Sequence, residues 1–139
     1  MNTNSITPSD CDVFIQIWVD GNATQLGQTT GIYLVDNGGT PGTEGTTALN
    51  TVCTSGSLIC WTVMPVDPNF LAKGGSLQLQ SVGNCNAWGD SGQPTEFDSL
   101  DFIGTAQTVG SASYQLTINV CAPGGSGMTL LIDPTITVN

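Results

Sequence analysis

Between Asn84 and Asp101 the chain carries six oxygen-bearing side chains, those of Asn84, Asn86, Asp90, Glu96, Asp98 and Asp101, with Trp88 among them. Carboxylates and amide carbonyls are the ligands that a hard cation such as Ca²⁺ selects, about six to eight at a time. An indole beside such a set is a surface on which a sugar ring can stack. Together they define a candidate site: six Ca²⁺ ligands, with Trp88 as the platform for a glycan or other small molecule. Their spacing matches no EF-hand loop, and polar loops of acidic proteins are otherwise simply solvated. The chemistry therefore depends on whether the fold makes these side chains converge.

Catalytic readings of the same loop fail on composition. Gly89-Asp90-Ser91-Gly92-Gln93-Pro94 looks like the nucleophile loop of chymotrypsin-like proteases, but that mechanism needs an imidazole to accept the serine proton, and the chain has no histidine. Asp90-Ser91-Gly92 also resembles the Asp-Ser/Thr-Gly of retroviral-type aspartic proteases. There the motif follows an apolar strand, whereas here it follows Trp88-Gly89 in a Gly/Asn-rich loop. With neither His nor Arg, most acid–base designs for neutral pH are absent as well. The expectation is a protein that is not an enzyme.

Five cysteines, at positions 11, 53, 60, 85 and 121, form no C-x-x-C pair and have no histidine to complete a mixed zinc set. Reduced thiols are expected, with Cys53, Cys60 and Cys121 packed as small core hydrophobes and Cys85 in a loop.

Charge narrows the partners. Eleven Asp and Glu stand against one basic residue, Lys73, giving a net charge of −10. Nucleic-acid binding needs several Lys and Arg to displace counterions from phosphates, so DNA and RNA are excluded. Anionic membrane surfaces repel such a chain, and no apolar run approaches the ~20 residues of a spanning helix. Residues 1–10 carry neither a positive cluster nor an apolar core of the secretory type, so a cytoplasmic location is expected. One cation can pair with at most one or two carboxylates, so stability must come from apolar burial and strand ladders.

The elements that must position these residues are strands. The central one lies in Gly56–Asn69, an apolar run from Leu58 to Val66 closed by Asp67-Pro68-Asn69, with Ile59, Trp61 and Val63 on one face and Leu58, Cys60, Thr62 and Met64 on the other. Before it, Cys11–Asp20 alternates Val13, Ile15, Ile17 and Val19 against Asp12, Phe14, Gln16 and Trp18. Strands are also expected at 32–35, 48–54, 76–82, 102–109, 114–121 and 128–138, with Pro134 marking an edge or bulge in the last. Residues 69–73 read as one helical turn and 83–99 as irregular. Trp18 and Trp61, both in strands, are expected in the core. The 139 residues thus predict one all-β domain, an antiparallel β-sandwich of about eight strands in jelly-roll or Greek-key order, behind a flexible arm over 1–10.

Three stretches resemble one family. Asp12-Val13-Phe14-Ile15-Gln16-Ile17, Gly56-Ser57-Leu58-Ile59-Cys60-Trp61 with Val66-Asp67-Pro68-Asn69, and the terminal Asp133-Pro134-Thr135-Ile136-Thr137-Val138 are similar to the AidA/PixA inclusion-body proteins of bacteria. The resemblance implies a cytoplasmic protein made at high cell density, accumulated in inclusion bodies in some members, and carries no enzymatic activity.

Composition independently favours self-assembly. Lys and Arg, which normally blunt sheet edges, are replaced by Thr, Ser, Gly, Asn and Gln, whose ordering at a contact costs less entropy. The charge of −10 opposes association. Homo-oligomers or larger assemblies are therefore expected when divalent cations are added or pH falls toward the pI of about 4.1. The competing reading is a calcium-dependent, lectin-like carbohydrate-binding module.

Overall fold

A computed structural model describes residues 7–21, 31–38, 42–125 and 127–139. The fold is all-β, with eleven strands among these residues. They are β1 (Val13–Val19), β2 (Ile32–Asp36), β3 (Asn50–Cys53), β4 (Leu58–Pro65), β5 (Ser76–Val82), β6 (Thr95–Asp98), β7 (Asp101–Thr105), β8 (Gly110–Ser113), β9 (Leu116–Cys121), β10 (Gly127–Ile132) and β11 (Thr135–Val138). Five form a sheet in the order β2-β1-β4-β7-β6, and two three-stranded sheets run β10-β9-β5 and β3-β11-β8.

β4 lies at the centre of the large sheet, as its apolar run requires. Ile59, Trp61 and Val63 on β4 and Ile15, Ile17 and Val19 on β1 point inward, where they join Leu79, Leu116, Ile118 and Ile136 of the smaller sheets in one core. Sheet faces packed across a shared core make the arrangement sandwich-like.

Pairing departs from the antiparallel expectation at two places. β1 runs parallel to β4, with Ile15 opposite Trp61, and β11 runs parallel to β3, with Val138 opposite Cys53. Parallel neighbours need long crossovers. The chain supplies one by sending β3 into a different sheet between β2 and β4.

The extra strands arise where sequence alternation is weakest. Residues 128–138 form two strands in two sheets, and Pro134 sits at the switch, its carbonyl accepting from the Tyr114 amide at 3.1 Å. The strand expected over 102–109 stops at Thr105 because the Ala106 amide turns to the Ser57 carbonyl, and β8 begins separately at Gly110. β6 lies inside the stretch read as irregular; its four side chains are all exposed, so it has no apolar face to betray it.

The helical turn at 69–73 is present, with the Lys73 amide donating to the Asn69 carbonyl at 2.9 Å. Of the arm, residues 1–6 lie outside the described residues. Residues 7–11 are held by a capped 3-10 turn, in which Thr7 and Asp10 bond each other's backbones and the Cys11 amide donates to the Pro8 carbonyl. Lys73 pairs with Asp67 at 3.3 Å, an exposed contact that contributes little to stability. No helix among the described residues is long and apolar enough to cross a membrane.

Candidate functional site

The residues proposed as calcium ligands do not form one cage. Asn84, Asn86 and Asp90 lie exposed on and beside the 3-10 turn Asn86–Ser91, while Glu96 and Asp98 lie exposed on β6. Only Asp98 and Asp101 are brought together, opposite each other where β6 turns into β7. The Asp101 carboxylate accepts from the Thr62 hydroxyl at 2.6 Å, and that of Asp98 from the Leu100 amide at 2.9 Å. Burial raises the pKa of Asp101, the Thr62 bond works against that rise, and the neighbouring Asp98 adds to it. Among the described residues, no group of three or more His, Cys, Asp and Glu side chains could hold a metal ion.

Trp88 is corrected from surface platform to core residue. It is 0% exposed, and its indole N–H donates to the Gly83 carbonyl at 2.9 Å. Its ring stands edge-on to Trp61 and Tyr114, each with centroids 5.5 Å away, and Trp61 and Tyr114 are themselves 5.9 Å apart. The Trp61 N–H donates to the Tyr114 hydroxyl at 3.1 Å, closing a three-ring cluster under the large sheet. A ring so enclosed offers no face to a sugar.

Trp18 is corrected in the opposite sense. It lies half-buried on the outward face of β1, in phase with Phe14 and Gln16, and its indole N–H donates to Gln16 Oε1 at 3.2 Å. Across the sheet it stands between Tyr33 of β2 and Met64 of β4. The next row outward is Val35, Gln16, Thr62 and Asp101, and the one after it contains Phe14, Cys60 and Ile103. Phe14 is 37% exposed and Tyr33 42%, and a groove of about 150 Å³ opens between Phe14, Gln16, Val35, Asp36 and Asn37. Aromatic and aliphatic groups thus share the outer side of four strands with carboxylates, Asp101 with Asp98 opposite it and Asp36 at the groove.

At the far edge of this sheet is a cleft of about 320 Å³, lined among others by Ser91, Thr95, Glu96, Phe97, Ile103 and Thr105. Phe97, 48% exposed, is the aromatic side chain that the acidic loop presents outward. It escaped notice in the sequence because Trp88 is the larger aromatic, and nothing local distinguishes a ring that folds inward from one that does not.

Two of the thiols, Cys60 and Cys121, depart from expectation. Cys53 lies in the main core, but Cys60 is buried on the opposite side of β4, in a small cluster with Cys11, Ile103 and Leu58. Cys121 is half-buried at the end of β9, its thiol donating to the Gly125 carbonyl at 3.3 Å. Cys85 lies in the loop just ahead of the 3-10 turn, as expected, and packs half-buried against the core.

A family model described as a domain of unknown function, DUF8788, matches residues 11–125. Among solved structures, the fold is similar to a crystal structure of an inclusion body protein, PixA, from Burkholderia cenocepacia J2315, with a TM-score of 0.75, 12% sequence identity, and all of both chains covered. At that identity the likeness is one of fold, and it is the fold that the three sequence stretches led us to expect. No curated protein sequence matches the chain.

Proposed function

We propose a function for a chain that belongs to the DUF8788 family: it is a non-enzymatic protein of the inclusion-body type, acting in the cytoplasm by associating with further copies of itself. The observation that carries this reading is the outward face of the five-stranded sheet, where Tyr33, Trp18 and Met64 lie side by side in one row and Phe14, two rows away, borders a shallow groove with Gln16, Val35, Asp36 and Asn37. Exposed aromatic rows of this kind are the usual centres of protein contacts. A second copy is the partner argued for, because one cation in 139 residues leaves little to interfere with contact between like surfaces once the carboxylates are neutralised. The inclusion-body name of the structural neighbour supports the same reading.

Assembly is tested by light scattering of the purified chain from pH 7 toward the pI of about 4.1, and at pH 7 with Ca²⁺ or Mg²⁺. Scattering should rise in both series. The double variant Trp18→Gln/Tyr33→Gln, whose charge is unchanged, should shift the onset to roughly tenfold higher protein concentration, the equivalent of about 1.4 kcal/mol. A chain that stays monomeric throughout, or a double variant that assembles like the parent, refutes the proposal.

The cleft beside β6 supports a second reading, the binding of a small polar ligand such as a glycan, with Phe97 as the stacking ring and Glu96, Thr95 and Thr105 as hydrogen-bonding groups. NMR titration with simple sugars should then shift Phe97 and Ile103, with or without Ca²⁺. No movement there would discard it.

A further inference from the structure

A second copy seated on the outward face of the large sheet has to cover a carboxylate. Asp101, on β7, stands opposite Thr62 of β4, and on the same face of β4 the next residue is Met64, in one row with Trp18 and Tyr33. One strand spacing and one side-chain repeat separate Asp101 from Met64, about 8 Å on a pleated sheet. A stable contact covers about 800 Å² per partner, a patch roughly 30 Å across, so one centred on Trp18 and Met64 includes Asp101. The carboxylate is also held against the sheet, half-buried and accepting from the Thr62 hydroxyl at 2.6 Å.

Nothing around Asp101 balances its charge. Besides Thr62, β4 brings Cys60; β6 brings Asp98, directly opposite in the strand pairing, and Glu96. The 3-10 turn Asn86–Ser91 brings Asp90, and β5, which also packs against β7, has no ionisable side chain. Tyr33 and Asp36 lie farther across, on β2. All of these groups are neutral or acidic, and the one cationic side chain, Lys73, is paired with Asp67 beyond the end of β4. Enclosing an ionised carboxylate without a counter-charge is strongly unfavourable, whereas a protonated one loses far less on leaving water. Burial already raises the pKa of Asp101, the Thr62 bond works against that rise and Asp98 adds to it. The neutral form is therefore reached at a higher pH than for a solvated aspartate.

Given the self-association reading, on which this step rests, we propose that Asp101 is the proton switch of the contact between copies: ionised, it keeps the outward face from closing on a second copy, and protonated, it lets the face close. Closing takes up one proton per copy, and the proton is released when pH rises and the copies part. Each unit of acidification above the carboxylate range then favours the closed contact about tenfold per copy. Acid-driven assembly is set by this one position more than by the net charge of −10.

The test compares Asp101→Asn with Asp133→Asn, an equal change of charge at an exposed residue between β10 and β11, in the smaller sheets. Asparagine at 101 can still accept from Thr62, and urea unfolding establishes that both variants are folded. Light scattering is followed from pH 7 to pH 5. At pH 7 the onset for Asp101→Asn should come at a protein concentration at least about tenfold below that of the parent, while Asp133→Asn follows the parent. Adding Trp18→Gln/Tyr33→Gln to Asp101→Asn should abolish the gain. Equal shifts in the two single variants would mean that net charge alone sets the onset, which overturns the switch and leaves assembly standing. A gain that survives the loss of Trp18 and Tyr33, or an Asp101→Asn chain with the parent's pH profile, overturns the switch as well. Parent and variants that all stay monomeric refute assembly itself, and the switch with it.

Discussion

Tyr114→Phe is the substitution that most directly tests how the core is held. The Tyr114 hydroxyl accepts from the Trp61 indole at 3.1 Å, and the two residues are 2% and 0% exposed. Removing the oxygen leaves a buried N–H with no acceptor, which costs about 1–3 kcal/mol, against which the loss of a buried hydroxyl is a minor relief. The ring contacts to Trp61 and Trp88 survive, so little of the cost is packing. For a domain of this size 1 kcal/mol moves Tm by roughly 3 °C, so a fall of roughly 3–9 °C is expected.

Urea unfolding followed by tryptophan fluorescence should show a lower midpoint with an unchanged slope. In the cycle with Trp61→Phe, the two substitutions should couple by about 0.5–3 kcal/mol. Alkaline pH supplies an independent reading. Burial raises the Tyr114 pKa, so above the unfolded value near 10 the unfolded chain releases a proton that the folded chain retains. Stability attributable to Tyr114 is therefore complete below pH ~10 and declines above it, and Tyr114→Phe should lose that decline. A variant as stable as the parent, with the same alkaline profile, would show that the hydroxyl does not hold Trp61.

Two further substitutions probe the large sheet. The raised pKa of Asp101 means that its contribution is favourable below the unfolded carboxylate value and is lost as pH rises through the folded one. Asp101→Asn, which can still accept from Thr62, should accordingly be slightly more stable than the parent at pH 7, by less than about 1 kcal/mol because solvent screens the half-buried group, and the gain should vanish in acid. Midpoints of urea unfolding at several pH values check this. At Gly104 a methyl group would lie 2.6 Å from Pro94 Cγ, so Gly104→Ala should cost about 1–3 kcal/mol, read as a Tm loss, and a neutral result would mean that β6 is not seated on β7 as described.

How much of this was legible in the sequence follows from where the information lies. Alternation is local, and it located β1 and its two faces correctly: Ile15, Ile17 and Val19 turn inward, and Trp18, out of phase with them, turns outward. Assigning Trp18 to the core put residue type ahead of phase. β4 was legible as the central strand for the same local reason, but its parallel pairing with β1 depends on where β3 goes, which no window of sequence contains.

Trp88 marks the opposite limit. Its neighbours Asn86, Gly89 and Asp90 are surface-forming residues, and the ring is nevertheless buried because Gly83 accepts its N–H and because Trp61 and Tyr114, distant in sequence, provide the other two walls of its pocket. The acidic loop then loses its coherence as a site. Once the 3-10 turn folds Trp88 inward, Asn86 and Asp90 stay on that turn while Glu96 and Asp98 go to the sheet edge, and Phe97 is left as the aromatic facing outward. Proximity in sequence made those six oxygens look like one ligand set. The side chains that the fold does align, Tyr33, Trp18 and Met64, come from three strands whose adjacency only the sheet creates, and it is on them that association between copies should be tested.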